Sequence, residues 1–309
     1  MKFYKYLLYL APVIIFIVVV TIKEMEQKEL GSKSNPIRIY FTPSLEAKSL
    51  TTSSKSLIDY LEKETGYYFT SAVPSSFVAV VEAFGSKRAD IALINTFSYL
   101  MAHEKYGVTA RLRIVRDNNQ KSYRGQIVTH VDSGIDSLSD LNGKRFAFVD
   151  PSSTSGYILP KALLEKQGIQ IAEGMFAMKH DNVISMVYQG QVDAGATYYS
   201  PPDPVTGNIL DARMRVKTQY PDVEKKVKII ALTEEIPNDP IVFRKGLPVE
   251  MQKRIVSAMI KFSTTPEGSA ALYKLSEICG LLETTDDDYD PLRNILRGLH
   301  MNLDNLIKK

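Results

Sequence analysis

Short apolar runs alternate with helix-length amphipathic segments along most of the chain, and this alternation limits the fold more than any other feature. Residues 37–41 have strand character and stop at Thr42-Pro43-Ser44. The stretch from about 47 to 65 puts Leu57, Ile58 and Leu61 on one helical face and closes at Gly66. Residues 67–73 return to strand, 75–84 carry a helical apolar pattern, and 90–94 read as a short buried strand, with further strand-like runs at 112–115 and 125–129. A second block repeats the rhythm: strand 145–149, helix 156–166 closing at Gly168, strand 174–178, helix 181–188, strands 193–197 and 227–232. Residues 200–225 are Pro-rich and charged and read as a surface excursion. Alternation of this kind builds α/β architecture. The 309 residues give room for two units of about 150.

The N-terminus sets the compartment. Residues 7–22 are sixteen uncharged residues preceded by Lys2 and Lys5, the pattern of an export signal. The next residues, Lys23-Glu24-Met25-Glu26, offer no small-x-small cleavage site, and no Cys stands nearby for lipid attachment. An uncleaved signal-anchor over 1–23 is therefore favoured over a cleaved signal peptide, with its N-terminus inside by the charge rule. Polar residues 24–35 read as a flexible tether to an extracytoplasmic part.

Composition excludes several classes. One Cys forms no internal disulfide and builds no Cys-rich zinc module. With only four His, no metal or cofactor site is expected. Net charge is +3 from 38 Lys+Arg and 35 Asp+Glu; without Lys2 and Lys5 the rest has 36 against 35. That balance gives no footprint for nucleic acid, so an anionic ligand must be held by local groups.

Two segments echo each other. Gly85 to Ala92 and Gly190 to Ala196 each follow an amphipathic helix, turn at Gly and start a buried strand with Asp90 or Asp193. Each then runs into polar-aromatic residues, 95–99 and 197–200, read as loops at strand ends. Two similar α/β lobes would send such loops into a shared crevice, where open α/β sheets bind ligands. Asp193 itself reads as structural, and Cys279 as a small buried hydrophobe.

The strongest chemical signal joins a strand to a helix: Asp150-Pro151-Ser152-Ser153-Thr154-Ser155-Gly156. The first N–H groups of a helix have no intrahelical partner. Together with hydroxyls and the positive dipole end they form an anion site, and Gly156 allows close approach to the backbone. The plain alternative is an N-cap by Ser153 or Ser155.

Residues 138–157 resemble the second lobe of the phosphate/phosphite/phosphonate-binding proteins of ABC transporters. The similarity continues through His180 to Ala196, through Ile236-Pro237-Asn238-Asp239-Pro240, and in Asp288 to Pro291; upstream, Ala89 to Ala102 is similar to the first-lobe cleft segment. The resemblance spans roughly 36 to 300. It implies an α/β, two-lobed, type II periplasmic-binding-protein-like fold, each lobe a mixed sheet flanked by helices, with the ligand cleft between lobes. Lobe 1 would take 36–129 with 245–309 and lobe 2 would take 130–244, with crossings at 129–132 and 240–243.

The resemblance also assigns roles. Ser153, Thr154 and Ser155 map onto the turn that holds phosphorus-bound oxygens. Tyr99 maps onto a first-lobe phenol donor, and His180 onto a donor at a helix start. Asp239 maps onto a carboxylate that accepts from a ligand P–OH or pairs with an amino substituent. Ser44, Thr197 and Tyr198 are secondary candidates. Ser200 stands where an aminophosphonate-binding relative carries an additional acid, so strong aminoalkylphosphonate preference is not expected. The implied function is capture of a small phosphorus oxyanion (phosphate, phosphite or alkylphosphonate) by lobe closure and delivery to an ABC permease, by a membrane-anchored monomer. A ligand sensor of the same fold is the alternative. A Ser/His hydrolase is the reading from another class; it lacks a Gly-x-Ser-x-Gly elbow.

Overall fold

The computed structural model describes residues 29–41 and 47–298. The apolar run 7–22 and Ser44 lie outside the described residues, among which no helix is long and apolar enough to cross a membrane. Eleven strands are described: β1 Ile37–Phe41, β2 Phe69–Ala72, β3 Ile91–Leu93, β4 Thr109–Val115, β5 Ser122–His130, β6 Arg145–Phe148, β7 Glu173–Phe176, β8 Ala194–Tyr199, β9 Val227–Pro237, β10 Pro240–Phe243 and β11 Gly280–Glu283. The described helices, in order, are α1 Ala47–Thr65, α2 Phe77–Gly85, α3 Thr96–Tyr106, α4 Leu159–Lys166, α5 His180–Tyr188, α6 Val223–Lys226, α7 Val249–Ser263, α8 Pro266–Ser276 and α9 Asp290–Gly298.

They form two mixed sheets, β11-β4-β10-β3-β1-β2 and β7-β6-β8-β5-β9. In the first, β1 runs parallel to β2 and β3, while β10 is antiparallel to β3 and β4. In the second, β6 is parallel to β7 and β8, and β5 is antiparallel to β8 and β9. Each sheet is covered on both faces. Ile37, Ile39 and Ile91 pack with Leu61, Ile255 and Phe262 on one side of sheet 1; Ala92 and Val242 pack with Val80, Phe97 and Leu292 on the other. In sheet 2, Val128 and Ala147 meet Val183 and Val187, while Ile127 and Phe146 meet Leu164.

Sheet membership moves the crossings. All of β5 belongs to sheet 2 and β10 belongs to sheet 1, so the chain crosses between Val115 and Ser122 and returns between Pro237 and Pro240, not at 129–132 and 240–243. The two crossings hold each other. Asn238 is fully buried, and its Nδ2 donates to the carbonyls of Ile114 (3.1 Å) and Gln120 (2.8 Å), while the Ile114 N–H donates to the Asp239 carbonyl (3.1 Å).

The expected tether is folded from residue 29 onward. Gly31, at φ 90°, lets the chain turn so that its N–H donates to the Asn35 carbonyl and its own carbonyl accepts from the Tyr68 N–H, both 2.8 Å. A Cβ there would stand 2.9 Å from the Tyr67 ring. The expected excursion at 200–225 is only partly on the surface. Ala212, Val216 and Val223 are buried against α5, carrying Arg215 into the interior.

The echo has one structural meaning in both lobes. Asp90 accepts from the backbone N–H (3.0 Å) and Nε (2.9 Å) of Arg38, at the head of the neighbouring parallel strand. Asp193 does the same for Arg145, at 2.8 and 3.2 Å. A carboxylate that accepts both a main-chain and a guanidinium donor fixes the register of two parallel strands. The residues after each strand differ, however: 96–106 form α3, and 197–199 are still β8.

Candidate functional site

Where the lobes meet there is a cavity of about 60 Å³. Its lobe-2 wall is the turn after β6. Asp150 organises it: Oδ1 accepts from the Ser152 N–H (2.8 Å) and hydroxyl (2.5 Å). Ser153 then accepts from the Gly156 N–H at 3.1 Å, so the alternative of an N-cap is realised at Ser153, and its hydroxyl still lines the cavity with Thr154 and Ser155. Residues 154–158 form a wide π-type turn that runs directly into α4. Gly156 is required by packing, because a Cβ would stand 2.4 Å from Val149 Cγ2.

The lobe-1 wall is a second helix start. Asn95 caps α3, its Oδ1 accepting from the Ser98 N–H at 2.8 Å, and its Nδ2 donates across the cleft to the Ser152 carbonyl at 3.2 Å. The Phe97 N–H donates to Thr154 Oγ1 at 3.0 Å. Two helix N-termini therefore converge on one small space, each contributing the positive end of its dipole.

Starting the helix at Thr96 turns Tyr99 away from this space. Its ring is fully buried in lobe 1, edge-on to Tyr289, with ring centroids 4.9 Å apart. Its hydroxyl donates to Asp286 at 2.6 Å. Burial and the Asp286 carboxylate hold the phenol far above its ordinary pKa. Tyr99 is thus a core residue here and does not line the cavity, in contrast to the expectation.

His180 does line it. The ring Nδ1 lies 2.7 Å from Thr197 Oγ1, and the ring packs edge-on to Tyr198. Burial, aided by Arg215 and Arg116, lowers its pKa to about 3, so it is neutral at pH 7. With Nδ1 engaged by Thr197, Nε2 remains for the cavity. Thr197 is therefore a positioning residue, whereas Tyr198 lines the cavity directly.

Asp239 sits on the returning crossing. Burial raises its carboxyl to about 6, against the pull of Arg116 and of contacts from Thr96 and Tyr123. Its Oδ1 is buried and has no hydrogen-bond partner among the described residues. The Tyr123 phenol, also in the wall, is held protonated by burial and by the nearby Asp239.

Three groups escaped the sequence reading. Arg116, just after β4, and Arg215 line the cavity, and Tyr123 lies at the start of β5. Arg116 had a faint local signal, a basic residue ending an apolar strand. Arg215 had none, being one of several cations in a charged stretch. Cys279 is half-buried, with Sγ 3.0 Å from Asp117 Oδ1, rather than an interior hydrophobe. Ser200 is buried and faces a small adjoining void of about 10 Å³ with Arg116 and Glu277.

The chain is similar to known proteins. The family profile described as "ABC transporter, phosphonate, periplasmic substrate-binding protein" matches residues 39–289. A phosphonates-binding periplasmic protein of Escherichia coli K12 is 25% identical over 225 residues, covering 70% of this chain and 62% of that protein. A phosphate-import protein of Mycolicibacterium smegmatis is 27% identical over 270 residues, 82% of each. The solved binding component of a Pseudomonas aeruginosa ABC phosphonate transporter superposes with a TM-score of 0.73 at 20% identity, over 86% of this chain and 87% of that one.

Proposed function

The chain belongs to the periplasmic substrate-binding proteins of phosphonate ABC transporters, and on that premise we propose that it captures a small phosphorus oxyanion between its lobes and hands it to an ABC permease. The observation that carries this reading is the cavity itself. The Ser153–Ser155 turn and Asn95 at the start of α3 bring hydroxyl and amide groups to one small space, and Arg116 and Arg215 complete it. Neutral His180 offers Nε2, which donates when Nδ1 accepts from the Thr197 hydroxyl. The free Oδ1 of Asp239 accepts from a ligand P–OH, which favours an oxyanion that keeps one proton. Ser153, Thr154, Ser155, His180, Tyr198 and Asp239 are the ligand residues of this reading, with Arg116, Arg215 and Tyr123 added; Tyr99 is not among them.

The family is extracytoplasmic. Residues 1–23 would hold the protein, as a monomer, at the outer face of the membrane. A sensor role uses the same site and anchor. A hydrolase is disfavoured by His180, whose Nδ1 is engaged by a threonine and not by an orienting carboxylate.

The test is ligand-induced thermal stabilisation of the purified full-length chain, after unfolding and refolding to strip ligand. Phosphate, phosphite, methylphosphonate, 2-aminoethylphosphonate and sulfate form the panel. A ligand at about 100 times its Kd adds about 2.7 kcal/mol. No shift with any phosphorus oxyanion overturns the assignment.

A further inference from the structure

Two guanidiniums and one carboxyl line the cavity: Arg116, Arg215 and Asp239. A second acid stands behind the arginines. Glu277 Oε2 lies 3.4 Å from Arg116 Nη1, and its Oε1 lies 3.3 Å from Arg215 Nη2. Both oxygens are thereby committed to the two cations. Glu277 faces the adjoining void and not the ligand cavity. It ends α8 in the left-handed region, at φ 53°. A non-glycine residue holds that conformation where its surroundings over-determine it. Two further bonds steady the arginines: Arg116 Nη1 donates to the Ser276 carbonyl at 3.0 Å, and Arg215 Nε donates to the Tyr198 hydroxyl at 2.8 Å. Each guanidinium has five N–H donors, so these bonds leave others for the cavity.

The arrangement has a consequence for ligand choice. Of the two acids near the cavity, Glu277 is turned away behind the arginines, and Asp239 is left as one carboxyl facing two guanidiniums. A cavity of about 60 Å³ holds about four to six water-sized groups, enough for a phosphorus, its oxygens and one small substituent. With Asp239 engaged by the ligand P–OH as proposed above, an amino substituent in so small a space would lie against the guanidiniums. Resting on the oxyanion reading above, we infer that Arg116 and Arg215, held from behind by Glu277, are the specificity-determining residues of the cleft: they select compact oxyanions without a cationic substituent and reject aminoalkylphosphonates.

The test is calorimetric titration of the full-length chain at pH 7.5 with methylphosphonate and with 2-aminoethylphosphonate, comparing wild type, Arg215→Lys, Arg215→Gln and Arg116→Gln. A unit charge about 6 Å from one guanidinium changes affinity about 100-fold at an effective dielectric of about 20. The wild type should prefer methylphosphonate by about that factor. Arg215→Lys should keep the preference, and each Gln variant should cut it about tenfold or more, chiefly by tighter 2-aminoethylphosphonate binding. A general packing defect would weaken both ligands together and leave their ratio unchanged. Equal or better wild-type binding of 2-aminoethylphosphonate overturns the inference, as does an unchanged ratio in the folded Gln variants. Binding of no phosphorus oxyanion at all overturns the oxyanion reading and this inference with it, whereas binding with the wrong ratio overturns this inference alone.

Discussion

Closing the cleft takes two ionisable groups out of water with opposite effects of pH, and substituting either one should expose the other. Asp239 is raised from 3.8 to about 6 in the closed arrangement. Its ionised form therefore costs about 3 kcal/mol, or about 150-fold in the closed population, once the pH is well above 6. A carboxyl raised on closing favours the closed form below pH 4, and that advantage is lost as pH rises through 6. His180 is lowered from 6.5 to about 3 by burial, then by Arg215 and Arg116. An imidazole lowered on closing favours the closed form above pH 6.5, and at pH 5 the need to shed its proton costs about 2 kcal/mol, or about 30-fold. In the wild type the two costs trade places, so closure of the ligand-free protein should change only about threefold between pH 5 and 7.5. Asp239→Asn should raise the closed population about 150-fold at pH 7.5 and let it fall about 30-fold on going to pH 5. His180→Gln should do the reverse, with about tenfold more closed form at pH 5 than at 7.5. Small-angle scattering of ligand-free protein across this range reads the populations. Slopes of the same sign in the two variants, or a tenfold change in the wild type, would refute the reasoning.

Three further outcomes are expected. Ser153→Ala with Thr154→Ala should abolish ligand-induced stabilisation and lower the unliganded stability by about 1 kcal/mol, the worth of the lost cap on Gly156, measured by urea denaturation; surviving affinity would place the anion elsewhere. Gly156→Ala forces a methyl to 2.4 Å from Val149 and should cost about 1–3 kcal/mol in the same assay. Tyr99→Phe removes the hydroxyl bond to Asp286, which keeps its Arg293 partner, and should lower stability by about 0.5–1.5 kcal/mol while leaving calorimetric affinity for methylphosphonate unchanged; a selective loss of affinity would return Tyr99 to the cleft.

The parts of the site that could be read from the sequence are those made by short-range structure. A run of hydroxyls between a buried strand and a helix forms its donor array within six residues, so Ser153, Thr154 and Ser155 were recognisable where they stand. His180 and Asp239 were named through the family resemblance, His180 at the head of an amphipathic helix. Tyr99 was assigned to the cleft by the family resemblance alone, with 95–99 read as a loop at a strand end. Asn95 caps a helix there, and starting that helix at Thr96 swings the phenol into the lobe. Arg116, Arg215 and Asp239 depend on long-range geometry. The first and last face the cavity because the crossings lie between β4 and β5 and between β9 and β10. The second does so because buried Ala212 and Val216 pull their segment inward. The alternating apolar runs specified the α/β class. Whether β5 and β10 join one sheet or the other rests on pairing partners more than a hundred residues apart in several cases, such as Ser122 with Pro237.

The mutual hydrogen bonding of the two crossings bears on the order of events in binding. Arg116 and Asp239 ride on the pivot, whereas Ser153–Ser155 and the α3 start ride on opposite lobes. When the lobes part, the pivot keeps its cation and its acceptor in place at the floor of the opened groove. On the reading proposed above, an arriving anion would meet that floor first and be roofed afterwards by the two helix starts. Association would then be governed by the floor and by ionic strength, and residence time by the roof, in particular by the Phe97–Thr154 hydrogen bond that spans the lobes.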